Sequence, residues 1–312
     1  MEESLSFSGH QSFPFRNTWL TKGVVRCNDD PGIFHRDDAM VALGVGKNMV
    51  GSIRHWCLAT RMITEDLIVK NNRGRVLKPT ELGKRVFLTD GGWDPYLEDI
   101  GTLWLLHWLL VTNRERATTW RFAFNYIHQP EFTKAWLQDA LWRMAAAHKN
   151  VRLTIDTLRR DIDVFVRTYT GAGNSSRQLL EDSLDCPLVE LGILVEQGSS
   201  GSYAFMRGPK ETLPDEVLMF ALSEYFQRKP EQRSFTFDEL AFGPYSPGRA
   251  FKLDESSLAE RFDRLADRTS GAWQFTETAG YQQVLVTEEV DGMKLLDSYY
   301  QNAVIGKVGA DR

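Results

Sequence analysis

The stretch FSGHQSFPFRNTWLTKG, residues 7–23, brings His10, Gln11, Arg16, Trp19 and Lys22 close together along the chain. An imidazole moves a proton near neutral pH, and a guanidinium grips two oxygens of a phosphate. Chain starts are usually frayed and simple in composition. This one alternates aromatic anchors with proton-active and basic groups. Two readings stay open. In one, Phe13, Phe15 and Trp19 tether the first helix to the core and the polar groups are solvated. In the other, the polar groups meet a phosphate.

A second chemically suggestive stretch is GVGKNMVGSIRHW, residues 44–56. A phosphate loop needs Gly, four residues, then Gly-Lys and a hydroxyl, but Val41 and Asn48 stand at the required positions. The dinucleotide fingerprint fails at its third glycine, which is Met49. Elsewhere there is no HExxH and no pair of histidines four apart. GSSGS sits between strand-like segments, without the strand-to-helix context of a nucleophile elbow. Glu288, Glu289, Asp291 and Lys294 in TEEVDGMK suggest a carboxylate–lysine site, and read equally as the acid-rich start of a terminal helix. His107, His128 and His148 read as structural histidines on aromatic-rich segments. Cys27, Cys57 and Cys186 are far apart, which suits reduced, buried thiols of a cytoplasmic protein rather than a zinc site.

The chain has 312 residues and a net charge of −5, with 42% hydrophobic residues. That composition suits packed cores and excludes a disordered chain. The longest apolar run, IGTLWLLHWLLV, is too short to span a bilayer. The acidity hides an asymmetry. Residues 43–85 hold nine Lys or Arg against three acids, a local net of +6. One basic island in an acidic chain points to a localised polyanion contact.

These groups must be held by elements. FHRDDAMVALGV reads as a helix, GVGKN as a tight turn, and KNMVGSIRHWCLATRMI as a second helix burying Met49, Ile53 and Trp56. LIVKNNRGRVLKPT reads as two strands around Asn72-Arg73-Gly74, and ELGKRVFL closes the unit as a helix. Helix, turn, helix and basic hairpin make the plan of a winged helix, with the second helix in the major groove and the wing on the backbone. The expected DNA contacts are Lys22, Lys47, Asn48, Arg54, His55, Lys70, Arg73, Arg75 and Lys78. Asn48 either caps the second helix or reaches an adenine edge. The expected fold is mainly α with small β-hairpins (α+β), in three parts. Residues 1–92 form the winged helix-turn-helix and residues 93–172 a helical middle whose Trp104, Trp108, Trp120, Trp136 and Trp142 form core. Residues 178–312 form a second winged-helix-like lobe. The recognition-like helix of that lobe carries Glu255, Glu260, Asp263 and Asp267 beside Arg261 and Arg264, a face suited to protein rather than phosphate.

FSGHQSFPFR, WLTKG and DDAMVALGVGKNMVGSIRHW resemble, in order, the bacterial family of the nicking B protein of the Ssp DNA phosphorothioation system, a phage defence. The specific matches fall within residues 7–56 of a chain of the family's usual length. The resemblance implies a protein that nicks one DNA strand so that sulfur can replace a non-bridging phosphate oxygen. It implies a divalent metal, magnesium or manganese, and no membrane. Its implied partners are double-stranded DNA and the proteins of a sulfur-transfer complex, with a homodimer as a further possibility. It sets His10, Gln11 and Arg16 beside the reacting phosphate, with His10 shuttling a proton and Arg16 holding an oxygen. Relatives often have glutamate after the histidine, where this chain has Gln11; if that acid is a metal ligand or base, this protein is weakened or uses another group. The metal ligands are not identified by sequence. Two rival readings are a non-catalytic DNA-binding scaffold for sulfur-transfer partners and a winged-helix transcriptional regulator, which predicts a two-fold dimer on a palindrome.

Overall fold

Large aromatic rings decide where the first core forms, because each removes so much apolar surface from water. Trp56, Trp104, Trp108 and Trp120 are at most 1% exposed. Trp56 and Trp120 meet edge to face with ring centres 5.3 Å apart. Trp136 is only half-buried and Trp142 is 42% exposed, so the expected tryptophan core loses its last two members. The computed structural model describes residues 4–69, 72–88, 91–148, 153–171, 186–198 and 201–310, with 304–310 as backbone only. The chain divides into two compact units, Met1–Met206 and Arg207–Arg312.

The first unit opens with α1 (Asn17–Asp29). A 3-10 turn (Ile33–His35) and the short α2 (Ala39–Leu43) follow, then α3 (Lys47–Ala59). The single helix expected over FHRDDAMVALGV is thus broken. Arg36 is extended and bonds both Asp30 and Asp38, a local competitor to helical hydrogen bonding. Gly44, at φ +64°, ends α2 in the left-handed region that glycine adopts without strain. Helices α1 and α3 cross at Gly23, where an added Cβ would lie 2.3 Å from the Cys57 sulfur.

After α3, strand β1 (Ile63–Glu65) pairs antiparallel with β2 (Leu77–Pro79), and α4 (Glu81–Phe87) follows. The hairpin therefore exists, but its first strand is ITE rather than LIVK. Residues 66–76 are its loop, with Lys70 and Asn71 outside the described residues. Four helices come next: α5 (Ile100–Val111), α6 (Thr118–Tyr126), α7 (Lys134–Ala146) and α8 (Ile155–Thr170). Between α6 and α7 runs an unanticipated strand, β3 (Glu131–Thr133). It pairs with β5 (Ser202–Phe205), which also pairs with β4 (Leu194–Gln197). Residues 186–206, expected in the C-terminal lobe, accordingly belong to the first compact unit. The amide of Asn113 donates to the Leu58 and Ala59 carbonyls, so residues 1–92 and the middle helices share one core.

The second unit holds α9 (Asp215–Gln227), β6 (Ser234–Thr236), α10 (Phe237–Phe242), α11 (Pro247–Phe251), α12 (Glu255–Asp263) and α13 (Leu265–Arg268). Strands β7 (Trp273–Thr278) and β8 (Tyr281–Val286) complete a sheet ordered β6-β8-β7, and α14 (Gly292–Ala310) packs on α9. Asp291 bonds the Met293 N–H at the start of α14, as the helix-start reading of TEEVDGMK expects. The fold is α+β, mainly helical with small antiparallel sheets. Among the described residues no helix is long and apolar enough to cross a membrane. All three cysteines are buried free thiols. Burial, with Asp30 nearby, pushes Cys27 up to about 12, far from a nucleophilic thiolate.

Candidate nucleic-acid interface

The amino-terminal segment is stitched into the first unit before α1 begins. The Ser6 N–H donates to the Thr118 hydroxyl and the Thr118 N–H returns to the Ser6 carbonyl. Ser8, Gln11 and Ser12 all have positive φ, between 52° and 66°. Such a concentration of left-handed, non-glycine residues persists only where surrounding contacts enforce it.

His10 supplies the enforcement. It is 1% exposed. Its Nδ1 accepts from the Ser12 N–H at 3.1 Å, so Nε2 carries the proton and donates to Asp161 Oδ1 at 2.7 Å. The Ser8 N–H reaches the same oxygen at 2.6 Å, and the Thr119 hydroxyl donates to Oδ2. Burial opposes the charge of Asp161, but the hydrogen bonds from His10, Thr119 and Ser8 prevail and hold its carboxyl below the ordinary range. Both ring nitrogens of His10 are thus occupied inside the protein. The expected proton shuttle is replaced by a clamp. Sequence reasoning missed Asp161, which lies 151 residues away and carries no motif.

Three aromatic rings surround this clamp: His55, Trp56 and Trp120. His55, expected on a DNA-facing surface, is 6% exposed, and its buried Nε2 has no hydrogen-bond partner. Burial pushes its pKa down to about 3, so it is a neutral core residue. A Cβ on Gly9 would lie 2.3 Å from the His55 Nδ1, which explains the glycine before the histidine.

The surface beside the clamp is basic. Arg16, half-buried, lies over the Phe13 and Trp19 rings at 5.8 and 5.3 Å. A concavity of about 460 Å³ is lined by Arg16, Asn17, Trp19 and Lys22 from α1 and by Gly46 and Met49 from the start of α3. Neither helix has a side-chain cap, since their N-caps are Arg16 and Gly46. Uncapped first-turn N–H groups and the positive end of each dipole favour an anion. Lys47 and Asn48 follow, exposed, in the first turn of α3. Asn48 is inside the helix, so the capping reading is ruled out. Gln11 is exposed, and its side chain lies by Gly51 of α3.

Arg73, Arg75 and Lys78 are exposed on the hairpin, with Lys78 3.2 Å from Asp66. Arg54 is half-buried and donates to the Gly74 carbonyl at 2.9 Å, tying α3 to the hairpin. Lys22, Lys47, Arg73, Arg75 and Lys78 therefore remain as surface cations. Arg54 is a brace, and Lys70 lies outside the described residues.

Among the described residues no three His, Cys, Asp or Glu side chains cluster into a metal site. The described donors do not fit an all-protein cage for a divalent ion.

In the second unit, Arg261 and Arg264 bond Asp215 at 2.6 and 3.0 Å, and Arg268 bonds Glu216 at 3.1 Å. Glu255, Glu260, Asp263 and Asp267 are exposed. The surface of α12 and α13 is acidic because its arginines are paired with acids of α9.

Residues 7–300 match a family described as protein of unknown function, DUF4007. No curated protein matches the chain. Two solved structures share its fold. One, described as an SspB crystal structure, superposes with a TM-score of 0.85 at 31% identity, covering 96% of this chain and 90% of the other. A magnesium ion-bound SspB crystal structure gives 0.86 at 31% identity, covering 96% and 89%.

Proposed function

The chain belongs to the DUF4007 family, and we propose on that premise that it is the DNA-docking and strand-nicking component of an Ssp-type phosphorothioation system. The observation that carries this reading is the concavity that sets Arg16 and Lys22 beside the uncapped start of α3, the helix to which Arg54 ties the basic hairpin. We read α2, α3, β1, β2 and α4 as a winged helix. Helix α3 enters the major groove from its uncapped end, where Lys47 and Asn48 lie, and the hairpin is the wing. Arg16, Lys22 and the two helix starts hold backbone phosphates. The His10–Asp161 clamp fixes the segment that presents Gln11 and Arg16, so His10 is a positioning residue and Arg16 the group that grips a phosphate oxygen.

A nickase must neutralise charge developing on the cleaved phosphodiester, which a divalent cation supplies when bound. One relative was solved with magnesium. Magnesium commonly takes one or two carboxylates together with substrate phosphates. The acidic surface of the second unit repels DNA and is where sulfur-transfer proteins or a second copy would dock.

The test is incubation of purified protein with supercoiled plasmid, with and without magnesium or manganese. Open circles that need the metal are expected. Tight, salt-sensitive duplex binding with no open circles under any condition selects the scaffold reading instead. Absence of duplex binding at low salt removes both.

A further inference from the structure

The hairpin loop exposes three consecutive apolar residues: Leu67 at 87%, Ile68 at 83% and Val69 at 39%. Burying such side chains is favourable, so an exposed pair on a hydrogen-bonded support calls for an occupant. The support is fixed. Asp66 accepts from the Ile68 N–H through its carboxylate at 3.1 Å, and its own N–H bonds the Val76 carbonyl at 3.0 Å. Asn72, 7% exposed, crosses the base of the loop, donating to the Asp66 and Val76 carbonyls and accepting from the Val76 N–H. Gly74 is bonded by Glu65 through its N–H and by Arg54 through its carbonyl. The apolar residues are therefore held out rather than left loose.

The cations around them select the occupant. Arg73 and Arg75 are exposed on the same hairpin, while Lys78 is paired with Asp66 at 3.2 Å, so whatever meets Leu67 and Ile68 also comes near two arginines. An apolar pair with arginines on the same hairpin fits a duplex whose bases are apolar on their faces and whose phosphate backbone is anionic. Proteins of unrelated fold kink DNA by inserting leucine or isoleucine between base steps from the minor groove, with basic residues on the adjoining phosphates.

We propose that Leu67 and Ile68 form a wedge that unstacks one base step and bends the duplex when the hairpin docks. This rests on the DNA-docking reading above and adds a substrate class: duplex DNA with an easily opened step. Pyrimidine–purine steps such as TA unstack most readily, so the wedge gives sequence preference at a position that no hydrogen bond reads. Unstacking also distorts the sugar–phosphate backbone next to the step.

The test uses a duplex of about 30 base pairs with 2-aminopurine in one central TA step and a fluorophore pair on its ends. A matched duplex carries the probe in an AA step. Wild-type protein is expected to raise 2-aminopurine emission severalfold on the TA duplex and to shorten the end-to-end distance. Leu67→Ser/Ile68→Ser should lose both signals, while the slope of affinity against salt stays that of wild type. Arg73→Glu/Arg75→Glu tests docking itself and should lower affinity and slope. Wild-type binding without unstacking or bending overturns the wedge and leaves docking intact, as does a double serine variant that keeps both signals. A serine variant altered instead in self-association, or in binding to anionic lipid vesicles, also overturns it. No wild-type binding at low salt ends both proposals.

Discussion

Nε2 of His10 lies 2.7 Å from Oδ1 of Asp161, with both side chains 1% exposed and the two residues 151 positions apart in the chain. The contact ties the amino-terminal segment to α8 and orients it before α1 begins. His10→Ala would leave a buried carboxylate with one donor fewer, a loss of about 1.5–3 kcal/mol for a hydrogen bond to a charged group. Chemical denaturation of His10→Ala, Asp161→Asn and the double variant measures it. A double variant less destabilised than the sum of the singles is expected. Strict additivity would rule out the clamp.

The clamp and its neighbour respond to pH in different windows. His55 has a folded pKa of about 3, against an ordinary value of 6.5. The folded state therefore binds fewer protons than the unfolded state between these values, and stability falls with pH there. The contribution is complete above 6.5 and is lost at up to about 1.4 kcal/mol per pH unit on acidification. Asp161, held below its ordinary 3.8, contributes above that value and loses its contribution only as pH falls through its lower folded value. Urea midpoints from neutral pH down to about pH 5 should decline in wild type and flatten in His55→Phe. Equal slopes in the two proteins would contradict a neutral, buried His55.

Gly9→Ala should destabilise the protein by about 1–3 kcal/mol, the usual cost of forcing atoms into packed space. The added methyl would collide with the His55 ring at 2.3 Å. His55→Ala in the same chain makes room, so the double variant should melt above the level expected from the two singles. Melting temperatures of the four proteins decide it.

Charge reversal at Lys47, Arg73 and Arg75 should reduce the slope of log affinity against log salt by about 0.9 for each phosphate that the variant no longer neutralises. These three are exposed and leave the core untouched. Arg54→Ala should behave differently, lowering stability along with affinity, because Arg54 braces the hairpin through Gly74. Filter binding across a salt series, with melting curves alongside, separates the two effects.

Asn48→Ala should leave stability within about 0.5 kcal/mol, as for other exposed positions without a cap bond. If Asn48 reads an adenine edge, the variant loses about 1–3 kcal/mol of discrimination at one position. Competition binding across a randomised duplex library measures this, and an unchanged preference profile removes Asn48 from base reading.

The sequence by itself determined the local elements and the position of the basic island. The helix over residues 155–170 was legible because it carries its own apolar stripe and the capping Thr154, and the one over 100–111 because a continuous apolar run follows the capping Asp99. The hairpin was legible from Asn72-Arg73-Gly74, but its first strand was misplaced. Leu67-Ile68-Val69 looks like a buried strand by composition, whereas Ile63–Glu65 is the segment that pairs with Leu77–Pro79. Only the tertiary structure decided which charged and polar groups face water. Nothing in residues 7–16 reveals that Asp161 arrives beside His10, or that α8 and α6 close over the imidazole. His55 and Arg54 are adjacent in the chain, yet packing turns one ring into the core and leaves the other side chain to brace the hairpin. Burial is set by what other elements bring to a helix face, and those partners lie tens to more than a hundred residues away in sequence. That long-range pairing is why the chemistry-bearing types could be picked out of the sequence, while their division into clamp, brace and surface could not.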